Sequence, residues 1–499
     1  MHKLVILSMI LNSMPALANR LFITETGKYS SIDPIDGDST ENILISRMLY
    51  ATPLQPKNGH ELESLILESF GYNTDKNCLE FQLKENLKFS NNNPINIYDL
   101  EMSILRMVYK RPDFPIISDI KGVSDWIKTK YPLENNLDGI KVENNKLRIY
   151  FKEKVEHPLF RFSLELFGIV PKSFVDIKTG KLKDGFPTSG PYIIKKENSN
   201  SIDFELRPNF KNLKYPDEIT FEYTDIKKIT RNEVSIKEND VVYANELLMD
   251  KNDFETIQKS FNLKKLPASR FAALSISANS KTLNSDKKRR WFRDQFQQII
   301  TKEFSKTFNY EPSIFTELLP GYQPPNSPEF IKKMKTSYKL EGKTITLGKF
   351  GKAENKILYD IIGKLSKSLK IKEFKIIEYN DKQKLTDDFN AGLIDLYSSS
   401  SGFWPVSPVQ DLKMLFTPGL HGLLKHQQED KTFQKLIKKV VSQPTRDNYL
   451  EITKHLFQDA TFNVYRHVSR LYFGKNKKQI NQIPVGYLSA NPWHIFLKN

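Results

Sequence analysis

A single cysteine, Cys78, in 499 residues excludes an internal disulfide and thiol-based metal clusters, so stability has to come from hydrophobic cores. Long apolar runs are missing too: past the N-terminus no segment reaches the roughly 20 residues that a membrane span requires. No GxSxG nucleophile elbow, HExxH zinc helix or Walker A loop occurs. The eight histidines are scattered; His421 and His426 are five apart, on different faces of a helix, and no metal site is expected. Acidic pairs such as Asp387-Asp388 fall on amphipathic helices and read as solvated faces. Nothing here demands catalysis, and the chain is expected to be neither an enzyme nor a cofactor carrier.

The composition that is present, 39% hydrophobic and 12% aromatic, is globular. The length exceeds what one core supports, so two or three domains are expected. MHKLVILSMILNSMPALANR combines a short basic start, an apolar run from Leu4 to Leu11 and the small-x-small Ala16-Leu17-Ala18. Residues 1–18 therefore read as a secretory signal cut after Ala18. Cys78 lies far beyond that cut and cannot be a lipidated first residue, so the mature protein is expected in the periplasm and not as a lipoprotein. The net charge of +16 is spread along the chain and favours residence near anionic membrane surfaces. Its densest run, Asp286-Lys-Lys-Arg-Arg-Trp291, reads as a solvated helix face, and no nucleic-acid partner is expected.

LFITE (21–25) reads as a strand, followed by a turn in which Asp38, Ser39 and Thr40 can cap an amphipathic helix. Leu79, Phe81 and Leu83 alternate with polar neighbours as a half-buried strand. Asn96 caps a helix with Ile97, Leu100, Ile104, Leu105 and Val108 on one face. KLRIYFKE (146–153) is a further strand. PTSGPYIIKK and SIDFELRPNF give a turn and two strands, with Ile202, Phe204 and Leu206 inward. From Leu340 the pattern turns regular: KTITLGKF, EFKIIEY and LIDLYS as strands, separated by helices over 354–369 and KQKLTDDFNAG. This alternation indicates a parallel, helix-covered sheet, whose ligands bind beyond the carboxyl ends of the strands.

The segment Leu396-YSSSSGFWPVSPVQD-Asp411 carries no charge between Tyr397 and Gln410. Its serines begin where the third strand is expected to end, so the loop should line a cleft, with Phe403 and Trp404 either offering apolar area to a ligand or packing under a neighbouring helix.

In order and spacing, these landmarks resemble the solute-binding proteins of peptide-type (oligopeptide, dipeptide, nickel) ABC importers, family 5, from about residue 20 to 499. The resemblance rests on Ile32-Asp33-Pro34 with SRMLYATPL, on LESFGYNTDKNCLEFQLKENLKFSNNNPINIYDL, on PTSGPYIIKKE and RPNFKNLKYPDEITFEY, on ISANSKTLNSDKKRRWFRDQFQQIITKE, where Asn279 and Arg293 match, and on NAGLIDLYSSSSGFWPVSPVQDLKMLF. It implies an α/β, two-lobed periplasmic-binding-protein-like clamp (type II, cluster C) with mixed sheets and an inserted extra subdomain. The expected divisions are a discontinuous lobe I core (19–52, 187–267 and 475–499), an inserted subdomain (53–186) and a lobe II α/β domain (268–474). Such a clamp captures solute because only the closed form makes both sets of contacts.

The sequence departs from the peptide-binding pattern where such binders carry an aspartate for the ligand's ammonium. Here Gly402-Phe403-Trp404-Pro405-Val406-Ser407 has no acid, and Ser407-Pro408 replaces the family's Asp-Pro. Burying an ammonium without a countercharge costs several kcal/mol. Asp38 can substitute, although helix capping is the simpler account of it.

The expected ligand contacts are Trp404, Phe403, Ser401, Gly402, Asp38, Thr40, Tyr29 and Asn279. The expected function is extracytoplasmic capture of a ligand, an oligopeptide first, and delivery to an ABC transporter permease complex in the inner membrane by a monomer. The alternatives are a receptor for a membrane regulator, an exported clamp-fold enzyme acting on cell-wall fragments, or a binder of oligosaccharides or cell-wall fragments lacking a free amine, which Trp404 stacking and serine hydroxyls would suit.

Overall fold

The structure, a computed structural model, describes residues 19–24, 29–36, 40–57, 61–112, 114–155, 157–246, 249–268, 270–305, 308–317, 319–331, 337–350, 356–402, 408–416, 425–483 and 492–496. Along the chain run β1 (Asn19–Ile23), α1 (Thr40–Leu49), β2 (Gln55–Pro56), β3 (Leu62–Glu63), β4 (Leu67–Asn73), β5 (Cys78–Leu83), α2 (Ile97–Lys110), α3 (Pro115–Ser118), β6 (Ile140–Glu143), β7 (Lys146–Tyr150) and α4 (Pro158–Arg161). Then come β8 (Tyr192–Glu197), β9 (Ser201–Leu206), β10 (Glu218–Tyr223), β11 (Val241–Asn245), α5 (Lys251–Ser260), β12 (Asn262–Lys265), β13 (Arg270–Ile276) and α6 (Asp286–Ile299). The last part holds β14 (Thr344–Phe350), α7 (Lys356–Ser368), β15 (Glu373–Tyr379), α8 (Lys382–Asn390), β16 (Leu396–Gly402), α9 (Pro408–Phe416), α10 (Lys431–Ser442), α11 (Arg446–Asp459), β17 (Phe462–Val468) and β18 (Arg470–Gly474).

These strands build a two-lobed α/β molecule on two mixed sheets. The first has the order β12-β18-β11-β1-β10-β9-β8, and the second β15-β14-β16-β13-β17. Residues 67–150 add a separate sheet, β4-β5-β7-β6. Its buried side chains, among them Phe81 and Ile149, belong to the same apolar cluster as Leu21 and Tyr243 of the first sheet, so core packing is continuous between them.

Strand alternation explains how each main sheet buries both faces. In the first, Leu21 and Ile23 join that large cluster while Phe22 packs with Val242 and Ile257 on the reverse. In the second, Ala272, Leu274 and Ile276 meet Phe292 of α6 and Leu358 of α7. Phe271 and Ala273 point the other way, onto Leu412, Phe433 and Ile452 of α9, α10 and α11.

Local chemistry fixes the segments nearest the cleft. Asn96 and Asp99 form a capping box at the start of α2, which satisfies two orphan N–H groups reciprocally. From that helix, buried Arg106 grips the Asp33 carboxylate with both terminal nitrogens, one at 2.9 Å. Tyr50 Oη donates to Ile32 O at 2.7 Å. The Ile32-Asp33-Pro34 turn is thereby clamped to α2 and to the end of α1.

β14 runs parallel to both β15 and β16, as the strand–helix alternation indicates, and β13, antiparallel to β16 and β17, makes the sheet mixed. Two expectations need correction. The serines are strand, not loop, because β13 offers backbone partners along the whole of β16, pairing Leu274 with Ser398 and Phe271 with Ser401. The Lys-Arg run is only partly solvated, since Arg289 is buried and ion-paired with Asp286. The chain rejoins the first sheet at Arg470, where β18 pairs with β11 and β12.

Candidate functional site

β1 runs parallel to β10 and β11, with Ile23 opposite both Tyr223 and Tyr243. The carboxyl ends of these strands, and of β16 in the other sheet, are where an open α/β sheet leaves a crevice. On the first sheet's side, Tyr29 is half-buried and donates its hydroxyl to Glu197 at 2.9 Å. Burial, aided by Glu197, pushes its phenol up to about 12. Tyr223 lies close by: its buried hydroxyl has no hydrogen-bond partner among the described residues, and burial, with Glu41, Tyr29 and Glu197 nearby, holds its phenol protonated. Tyr223, Glu41 and Glu197 were missed in the sequence. The available signal was positional, since Tyr223 is the last residue of a strand paired in parallel with β1.

On the second sheet's side, Ser401 and Gly402 end β16 opposite Phe271 and Arg270. Ser398 to Gly402 are all half-exposed and uncharged, and the buried Ser400 Oγ has no hydrogen-bond partner. Phe403, Trp404 and Asp38 lie outside the described residues, as does the side chain of Thr40, whose backbone opens α1. Asn279 is not brought to this group. It follows β13 at the end opposite Arg270, roughly 25–30 Å from Gly402 at about 3.3 Å per residue, and its side-chain amide donates to Asn390 O at 2.7 Å. Arg293, the family-matched arginine, is also internal, donating to Phe457 O and to Asp294.

Beyond β16 in the chain, α9 packs on α3. Asp411 of α9 forms an ion pair with Arg161 of α4 at 2.9 Å, and both side chains are almost completely buried. Asp411 is the first acid downstream of the serines, and the protein's own guanidinium already engages it.

The two sheets are joined by paired crossings, β12 to β13 and β17 to β18. Leu266 N–H donates to Arg470 O at 2.9 Å between them. Buried Glu246 ties this crossover: it accepts from Ser469 N–H at 3.1 Å and pairs with Lys265 and Arg466, each at 3.1 Å. Burial pushes its carboxyl up, but these partners outweigh it and hold the group below the ordinary range. A cavity of about 660 Å³ opens beside the crossover, walled by Glu246, Lys265, Phe308, Glu311, Tyr322 and Arg466, among others. Among the described residues, no three His, Cys, Asp or Glu side chains gather as metal ligands, and no helix is long and apolar enough to cross a membrane.

The family model for "Bacterial extracellular solute-binding proteins, family 5 Middle" matches residues 61–419. Among solved structures, the chain is similar to the murein tripeptide binding protein MppA of Escherichia coli, at 17% identity and a TM-score of 0.73, covering 96% of this chain and 97% of that one. It is similar to OppA of Haemophilus influenzae in complex with RPPGFSPFR, at 14% identity and a TM-score of 0.70, over 96% and 98% of the two chains. It is also similar to NikA of Brucella suis in complex with Fe(III)-EDTA, at 15% identity and a TM-score of 0.70, over 96% and 99%. At these identities the structural likeness speaks to the fold. No curated protein sequence matches the chain.

Proposed function

Because the chain belongs to the family 5 bacterial extracellular solute-binding proteins, we propose that it is exported by residues 1–18, captures an oligopeptide between its lobes in the periplasm, and hands it to an ABC importer in the inner membrane. The observation that carries the ligand class is the neutral, half-exposed stretch Ser398 to Gly402 at the carboxyl end of β16; Tyr29 follows the carboxyl end of β1 in the other sheet. Hydroxyls and exposed strand-end backbone suit peptide amides, which need donors and acceptors without net charge. Ser401, Gly402 and Tyr29 are the described contacts in this reading, with Trp404 and Phe403 closing over the ligand and Asp38 and Thr40 at the facing turn.

Asp411 bears on the ligand's ends. With its charge taken by Arg161, the aromatic loop offers no free countercharge, so the ligand end lying there carries no ammonium. A peptide lying with its amine elsewhere, or a blocked cell-wall peptide, meets that condition. Proteins of this fold are described with a murein tripeptide and with RPPGFSPFR, which supports the peptide class without fixing the sequence. The test is native mass spectrometry of the protein purified from its own periplasm, followed by denaturation and identification of what is released. A peptide supports the reading, whereas a sugar or a metal chelate as sole cargo replaces it.

A further inference from the structure

The crossover cavity contains a charge imbalance that the fold does not resolve. Lys265 and Arg466 are both engaged by Glu246, while Glu311 and Glu317 line the same cavity. Among the described residues, neither Glu311 nor Glu317 forms an ion pair with any cation. Among the described lining residues, two cations therefore face three carboxylates, and that lining when ionised is one positive charge short. The neighbouring histidine does not supply it: His467 Nε2 lies 2.9 Å from Ser313 O, so it must be the protonated nitrogen of a neutral ring. Burial holds that ring's basicity down to about 4.

Geometry keeps Glu311 in place. Its backbone N–H donates to Tyr465 O at 3.1 Å, which fixes the segment along the outer edge of β17. Among the described residues, the one hydrogen bond to its carboxylate comes from Tyr322 Oη, at 3.4 Å. Burial, with Glu317 adding repulsion, pushes this carboxyl up to about 7, the response expected of an acid held in a partly dry site without a cation. Phe254, Leu266, Pro267 and Phe308 supply the apolar part of the wall, and Ser305, Asn309 and Ser469 add uncharged polar groups. The volume falls within the range of small-molecule sites, and two carboxylates are too few for a hard metal ion that wants six oxygens.

We propose that this cavity is a second binding site, separate from the cleft at the carboxyl ends of β1 and β16, for a small organic cation bearing one ammonium group, which pairs with Glu311 and Glu317 while its carbon chain lies on Phe254 and Phe308. Its walls come from both sheets and from the crossing segments, so an occupant is more compatible with one lobe arrangement than another and biases the hinge.

The test is isothermal titration of the purified protein with butylammonium chloride, with sodium chloride at equal ionic strength as the control. Saturable binding of butylammonium is expected, weakened about tenfold or more in Glu311→Gln, the loss typical of one charged hydrogen-bonding partner. Burial raises the Glu311 carboxyl toward neutrality, so binding at about pH 6 to 7 should expel protons, visible as different heats in buffers of different ionisation enthalpy, and Glu311→Gln should expel none. Matching circular dichroism spectra establish that the variant is folded. Absence of saturable binding, equal affinity in Glu311→Gln, or binding without proton release overturns the assignment.

Discussion

Arg161 and Asp411 stand 250 positions apart in the chain and 2.9 Å apart in space, one on the helix that ends in the Phe162 core and the other on the helix that follows the serine strand. Both are buried, and together they tie the first lobe to the second. If the lobes stayed shut in Asp411→Ala, Arg161 would be an uncompensated buried charge, at a cost of about 3–5 kcal/mol. Opening the lobes avoids that cost by returning the guanidinium to water. The ligand-free variant should therefore show a larger radius of gyration in solution scattering than the wild type, while the calorimetric midpoint changes little. Arg161→Met combined with Asp411→Leu, which replaces the pair by apolar groups, should restore the compact form. A compact but less stable Asp411→Ala would instead make the pair an ordinary core contact.

Much of the second lobe was legible in the sequence, because residues 340–402 alternate between the strand period and the helix period in segments of ordinary length. The strand order was not. Ala272 pairs with both Ser400 and Arg466, and no local pattern relates positions so far apart. Polar serines lack the β-branched signature of a strand, and only their central place between β13 and β14 makes them one. Arg161, a lone cation within the apolar PLFRF, gave no hint that its partner lay on another lobe.

Trp404 bears on the cleft without involving the latch. Its ring is the largest apolar group in the uncharged sequence after β16, and tryptophan side chains at binding sites carry a disproportionate share of binding energy. Trp404→Ala should weaken capture of the natural cargo by roughly tenfold or more with an unchanged melting temperature, as measured by fluorescence or calorimetric titration. Undiminished capture would remove the loop from the site.

Asn279 and Gly392 test a structural role against a binding one. Gly392 has φ +73°, and a Cβ there would lie 2.1 Å from Asn279 O, so no side chain fits. The Asn279 amide in turn bonds Asn390 O. Asn279→Ala should cost about 1 kcal/mol in urea denaturation, Gly392→Ala more, and neither should alter cargo affinity once folded. A selective loss of affinity in Asn279→Ala would place the ligand at that end of β13.

The last prediction comes from two groups in one cavity whose proton equilibria oppose each other. His467 is held down at about 4 from an ordinary 6.5, so the unfolded chain binds the extra proton between those values and stability rises with pH there. Glu311 is pushed up to about 7 from 4.5; the folded chain binds the extra proton, and this group's contribution falls as pH rises through the same range. Between pH 4.5 and 6.5 the slopes largely cancel in the wild type. Glu311→Gln removes one of them, and its stability relative to wild type should climb with pH by about 1 kcal/mol per unit. His467→Gln should show the opposite trend, falling by a similar amount. Urea midpoints at pH 5.0 and 6.5 for the three proteins decide the matter: parallel pH profiles in all three would mean that neither side chain is held in the buried setting described for it.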